Sequence, residues 1–284
     1  MIEAIKKLAY ANRKLIGLGV SPTDREYMAR TILAAESAVK QDYATILLVG
    51  NKKEIETFGI STKRIEIYHS LTPEKTLVEL IRLNRVDGAV RGSLSSSKFL
   101  QEVKKQFNVP NLFRIALLET AANFCFFFAP IGIDEGNKLA EKVTLVEAGI
   151  SLLKFMQLEN APIGILSGGR MDDIGREIRV DKTIAEAEEL VSIIKQQGLT
   201  ENIRHYEILI EDAIAAQCRV VIAPDGISGN LVYRTLVHLG NGKSHGAWYY
   251  NLPCTIIDTS RVGPVFEYES AIAFASALAS QLPG

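Results

Sequence analysis

At 284 residues, with 47% hydrophobic and 23% charged residues, the chain is too apolar for a disordered protein and long enough for two domains with separate cores. Lys and Arg total 32 against 33 Asp and Glu, so no global positive field is available to attract nucleic acid or an acidic membrane. No apolar run reaches the ~20 residues of a spanning helix, and Glu3, Lys6 and Lys7 stand where a secretory signal would be apolar, so a cytoplasmic protein is expected.

Apolar stretches of strand length alternate with longer helical patterns, as in an α/β protein with a largely parallel sheet. A strand at 14–20 leads into Ser21-Pro22-Thr23-Asp24, which supplies an N-cap and a Pro near the first turn of a helix running to about Gln41. A buried strand at 45–49, a helix at 52–58 and a strand at 64–68 follow. Thr72-Pro73-Glu74-Lys75 opens a helix to Asn84, and 87–90 is a short strand. The turn Gly92-Ser93-Leu94-Ser95-Ser96-Ser97 then starts a helix reaching Phe107; its small residues and free N–H groups suit an anion, which makes it a first candidate site.

Strands at 114–118 and 123–129 have little between them, an antiparallel interruption of the pattern. Residues 130–137, rich in Gly, Pro and charge, mark the domain boundary. Beyond it lies a helix at 138–158, with Leu139, Val143, Val146, Ile150 and Leu153 at helical spacing. A strand at 163–166, a polar loop at 167–179, a helix at 181–197, a strand at 220–223 and a helix at 228–239 continue the series. Strands at 247–250 and 254–257 and an Ala-rich helix at 266–282 close it.

Cys125, Cys218 and Cys254 form no C-x-x-C pair and read as buried small hydrophobes. His69, His205, His238 and His245 include no H-E-x-x-H, and no tightly bound metal is expected. Asp172 and Asp173, next to Ser167-Gly168-Gly169-Arg170, form a polar cluster that reads equally as a binding loop or a lid; a surface loop is preferred over a metal site for the paired aspartates. Gly240-Asn241-Gly242-Lys243-Ser244 is not a phosphate loop, because Val237 stands where that motif needs glycine. Trp248-Tyr249-Tyr250 alternates across a strand, which suits a core plus an interface.

The chemistry concentrates between 223 and 267, where polar turns end apolar strands, the place where α/β sheets bind ligands. Pro224-Asp225-Gly226-Ile227-Ser228-Gly229-Asn230 precedes Tyr233-Arg234, and a later strand runs into Asp258-Thr259-Ser260-Arg261. On composition alone these read as strand-end caps. Together, however, they resemble the signature of the phosphate acetyl/butyryltransferase superfamily. Asp87-Gly88-Ala89-Val90-Arg91-Gly92, Ala129-Pro130 with Leu139-Ala140, Leu166-Ser167 and Glu211-Asp212-Ala213 extend the resemblance in pieces over most of the chain. The whole pattern is most similar to the methanogenesis marker protein 4 (MtxX) family, whose members carry a methyltransferase-subunit label.

The resemblance implies an isocitrate/isopropylmalate-dehydrogenase-like fold of two α/β subdomains with a cleft between them, 1–130 plus 255–284 and 131–254. It implies a transferase acting on a small acyl, phosphate or thioester-type substrate. A methyltransferase subunit or accessory protein in methanogen methyl transfer, or a non-catalytic ligand-binding relative, are the other readings. The family's Ser-Arg pair falls on Ser260 and Arg261, and its Gly-Asn on Gly229 and Asn230. Arg234 replaces its Lys, and Phe266 stands at its aspartate, leaving Glu267 as the nearest carboxylate and candidate base. Glu102 replaces an arginine for which Arg91 or Arg114 would substitute. Arg261 would clamp phosphate, while Ser260 and the Asn230 amide would donate to the carbonyl oxygen. Gly92, Ser93, Ser95, Ser96, Ser97, Arg114, Ser167, Arg234 and Asp258 would help bind a small anionic substrate. The expected partners are coenzyme A or a related thiol, a second copy in a homodimer, and a corrinoid or methyl-carrier protein.

Overall fold

The computed structural model describes residues 1–60 and 62–280. Its elements in chain order are α1 (Ile2–Asn12), β1 (Lys14–Gly19), α2 (Arg25–Lys40), β2 (Ala44–Gly50), α3 (Lys52–Glu56), β3 (Ile65–His69), α4 (Pro73–Arg82), β4 (Gly88–Val90) and α5 (Ser96–Phe107). Then come β5 (Phe113–Glu119), β6 (Cys125–Ala129), α6 (Leu139–Phe155), β7 (Ile163–Ile165), α7 (Ile178–Gln196), β8 (Ile203–His205), α8 (Ile210–Ala215), β9 (Val220–Ile222) and α9 (Gly226–His238). The last are β10 (Lys243–Tyr250), β11 (Thr255–Asp258) and α10 (Val265–Ala279). Residues 281 and 282 of the expected closing helix lie outside the described residues.

Two compact units result: Met1–Leu112 with the chain from His245 onward, and Phe113–Ser244. In the first, the strands lie in the order β3-β2-β1-β4-β11-β10. All neighbours are parallel except the β10–β11 pair, where Ala247 faces Asp258. Ile16, Leu18, Ile46, Leu48, Ala89, Val90 and Ile256 are fully buried, so the central strands read as unbroken apolar runs, as covered parallel strands must. The face carrying α4 and α5 buries Leu77, Val78, Ile81, Phe99 and Val103. Helix α10 packs on α1 and α2, and its alanines Ala271, Ala273, Ala275 and Ala277 allow close approach. Helix α2 is capped by Asp24, whose carboxylate accepts the Glu26 and Tyr27 N–H groups at 2.9 and 3.1 Å, so Pro22 lies upstream of the cap.

The second unit orders its strands β5-β6-β9-β7-β8, with β5 antiparallel to β6 and the rest parallel. Phe127, Phe128 and Ala129 of β6 pair with Val220, Val221 and Ile222. That ladder draws 113–129 into this unit, so the unit begins at Phe113 where the sequence reading places its boundary at 130/131. The segment 130–137 is a built loop packed against α9 within the unit. At the other end His245 opens the return to the first unit, because β10 pairs with β11; the sequence reading places that return at 255.

Candidate functional site

Parallel strands deliver their following loops to one edge, and in the first unit the loops after β1, β4 and β11 are stitched together there. The Ser21 N–H donates to Ser93 Oγ at 3.0 Å, the Thr31 hydroxyl lies 3.0 Å from the same oxygen, and Thr259 Oγ1 donates to the Gly92 carbonyl at 3.0 Å. Gly92 has φ +62°, and a Cβ there would lie 2.2 Å from the Gly19 carbonyl oxygen, so the turn requires glycine. Ser93 is fully buried, Ser95 and Ser96 are half-buried and Ser97 is exposed. Ser93 thus holds the turn together, while the three that follow line the start of α5.

Arginine 91 belongs to the scaffold. Its Nε donates to Asp258 and its terminal nitrogens to the carbonyls of Leu94 and Thr259, and it is 4% exposed. Asp258, read from the sequence as a substrate ligand, is 6% exposed and instead pairs with Arg91 and accepts the Thr259 N–H at 3.1 Å.

The Ser260-Arg261 turn is held at both ends. The Ser260 N–H donates to Glu267 Oε1 at 2.6 Å, and Tyr268 Oη donates to the Arg261 carbonyl at 2.8 Å. Burial, with the Glu267 carboxylate alongside, raises the Tyr268 phenol above its ordinary value and keeps it a donor. Glu267, the expected base, is 1% exposed and engaged in positioning this turn. The fixed backbone projects the Arg261 side chain outward: it is exposed, one Nη lies 3.0 Å from Thr23 Oγ1, and its guanidinium sits 5.8 Å from the Tyr27 ring centre. Among the described residues no carboxylate pairs with it. Most of its five N–H donors therefore remain available to an anion. Thr23 and Tyr27 were missed in the sequence because Ser21-Pro22-Thr23-Asp24 reads as a helix start and nothing more.

In the second unit Gly229 and Asn230 serve packing. A Cβ on Gly229 would lie 2.0 Å from the Pro130 carbonyl oxygen, and Asn230 Nδ2 donates to the Ile131 carbonyl at 2.8 Å. The Asn230 N–H, past the first turn of α9, falls within the helix's own hydrogen bonds rather than among its free donors. Asp225 caps that helix, accepting from Ser228 N at 2.8 Å. Arg114 is buried against Glu135, with Nε 2.6 Å from Oε1, and so does not stand in for the missing family arginine. Burial raises the Glu135 carboxyl above its ordinary value, opposed by Arg114 beside it. Arg234 is exposed on α9. Ser167 is 2% exposed and lies 2.9 Å from His205 Nε2. A cavity of about 450 Å³ in the same unit is walled by Lys142, Gly168, Lys182, Thr183 and Glu186.

Among the described residues no three His, Cys, Asp or Glu side chains gather at metal-binding distance, and no helix is long and apolar enough to cross a membrane. Trp248 and Tyr249 are 6% and 0% exposed and Tyr250 is half-buried, so the segment supplies the core part of the role expected of it.

No protein-family model matches the chain. It is 41% identical over 278 residues, 98% of its length and 95% of the relative's, to a Methanosarcina mazei protein provisionally named methyltransferase mtx subunit X. It is 20% identical over 270 residues to the phosphate butyryltransferase of Clostridium acetobutylicum, covering 86% of each chain. Among solved structures, a phosphotransacetylase from Streptococcus pyogenes superposes with a TM-score of 0.72 over 98% of both chains at 15% identity. A 4-hydroxythreonine-4-phosphate dehydrogenase from Burkholderia phymatum superposes with 0.60 over 95% of this chain and 98% of that one, at 14% identity. The α/β architecture expected from the sequence is the one these enzymes share.

Proposed function

The chain belongs to the methyltransferase mtx subunit X family, and on that premise we propose that it is a transferase that handles a small acyl phosphate or thioester at the strand ends of its first unit. The observation that carries the reading is Arg261, an exposed guanidinium on an anchored backbone with no carboxylate partner among the described residues. Arg91 and Arg114, by contrast, are neutralised by Asp258 and Glu135. A guanidinium in that state binds two oxygens of a phosphoryl group in parallel.

In the forward direction the sulfur of a thiol, coenzyme A or a relative of it, adds to the acyl carbon of the acyl phosphate. The carbon–oxygen bond to phosphate then breaks, and the thiol proton leaves to solvent or to the departing phosphate. Arg261 holds the phosphoryl oxygens and Ser260 Oγ donates to the carbonyl oxygen as negative charge grows there. Glu267 keeps Ser260 in place and is not assigned as the base.

The test follows thioester formation from acetyl-, propionyl- or butyryl-phosphate with a panel of thiols that includes coenzyme A and coenzyme M. Arg261→Lys should lower turnover by about two orders of magnitude, as removal of one oxyanion donor does, with the melting curve unchanged. Ser260→Ala should lower it less. The runner-up, a subunit of a methyl-transfer system, is favoured by the relatives' name alone. Inactivity of the unaltered protein on every pair, with acceleration of methyl transfer on adding a corrinoid protein, would select it.

A further inference from the structure

We propose that Ser167 is a second reactive centre, a nucleophile activated by His205 and confined to the second unit, which accepts an acyl group from an activated carboxylic ester. It stands independently of the Arg261 reading. Strands β7 and β8 are parallel neighbours with Ile165 opposite His205, so the residue ending β8 meets the turn that follows β7. There Ser167 Oγ lies 2.9 Å from His205 Nε2, and His205 Nδ1 lies 2.6 Å from Glu188 Oε1 on α7. The carboxylate assigns the ring proton to Nδ1 and leaves the Nε2 lone pair facing the serine. Nucleophile, base and orienting acid thus stand in sequence at hydrogen-bond range, the arrangement by which a serine hydroxyl is made reactive.

Two further observations bear on its reactivity. The first is that the hydroxyl donates to the Gly169 carbonyl oxygen at 2.8 Å, so its proton reaches Nε2 by rotation alone, with no heavy atom moving. The second is the count of donors in the turn. The Ser167 N–H goes to the Glu207 carbonyl at 2.7 Å, that of Gly168 to Thr183 Oγ1 at 2.8 Å and that of Arg170 to Asp173 Oδ2 at 2.9 Å. Among the described residues the Gly169 N–H has no partner, which leaves one backbone donor for an oxyanion two residues from the nucleophile. Gly168 lines the cavity of about 450 Å³, a volume suited to a small ligand. Lys142 and Lys182 in its wall are both paired with Glu186, so the wall sets no charge preference for the ester.

The chemistry balances without a cofactor. Ser167 Oγ adds to the ester carbonyl carbon as its proton passes to Nε2. The leaving alkoxide departs with that proton, giving an alcohol and acyl-Ser167. Water, giving a proton to His205, then releases the carboxylic acid and restores the serine.

The full-length protein would be treated with a fluorophosphonate probe, in which Oγ–P forms, fluoride leaves and the serine proton passes through His205. Peptide mass spectrometry should find one adduct, on Ser167, and none in Ser167→Ala. His205→Gln should slow labelling by about 10²- to 10⁴-fold, the usual contribution of a general base. Glu188→Gln, altering a residue at the protein surface, should slow it by about tenfold or more and covers the case in which the buried variants fail to fold. An unlabelled Ser167 in folded protein, or labelling that proceeds equally fast in His205→Gln or in Glu188→Gln, would overturn the proposal.

Discussion

Arg91 and Asp258 form an ion pair in which the two residues are 4% and 6% exposed, and they tie the end of β4 to the end of β11 across 167 positions of sequence. Arg261, three residues beyond Asp258, has no such partner among the described residues. The same residue type is therefore scaffold at one position and free for a ligand at the other.

Removing one member of the buried pair strands the other charge in a dry environment. Arg91→Met is expected to lower unfolding free energy by about 3 to 5 kcal/mol, read by urea denaturation. Arg261→Ala, at the surface, should stay within about 0.5 kcal/mol. A similar loss in both would remove the distinction between them.

Gly229→Ala forces a methyl group against the Pro130 carbonyl, which a Cβ would approach to 2.0 Å. Helix α9 or the 130–137 loop must shift, at a cost of about 1 to 3 kcal/mol. Thermal unfolding would show it as a lowered Tm. An unchanged Tm would mean that the close approach is not a constraint in solution.

Glu267→Gln keeps an acceptor for the Ser260 N–H, whereas Glu267→Ala leaves that half-buried donor without it, at about 1 kcal/mol. The Ala variant is expected to be the less stable of the two. In the thioester assay, the Gln variant should keep the acid limb of the pH–rate profile. Loss of that limb would return Glu267 to the role of base.

Burial pushes the Cys254 thiol up to about 12. The thiolate fraction at pH 8 is then about one in ten thousand, so a disulfide reagent should scarcely react with Cys254 at that pH until the protein is unfolded. The linkage follows from the sign: the folded pKa exceeds the unfolded value near 8.5, so the native state holds this proton more tightly. The thiol's contribution is complete below that unfolded value and is lost as pH rises through it toward 12. Fast labelling of Cys254 in native protein at pH 8 would contradict this.

The order of strands and helices was legible because each buried strand is a nearly unbroken apolar run, as with Ala44–Gly50, flanked by caps and turns. Helix α1 was not read, since Ile5 and Ala9 are its only buried residues and give too little periodicity. Strand β8 spans three residues with Ile203 alone buried, below what alternation can reveal. The Ser260-Arg261 motif was visible as local sequence. The fates of Arg91 and Arg114 were not, because they depend on carboxylates 167 and 21 positions away. His205 was likewise silent: its neighbours Ser167 and Glu188 lie 38 and 17 positions off, brought close by strand register.

The first unit is assembled from two stretches of chain separated by Phe113–Ser244. During synthesis β4 therefore emerges long before β11, its parallel neighbour, and before α10, which covers α1 and α2. At ~5 to 20 residues per second the delay is on the order of ten seconds. Throughout it the apolar surface around Ile16, Leu18 and Ala89 awaits its cover, whereas the second unit, a single stretch of chain, is complete before β11 emerges.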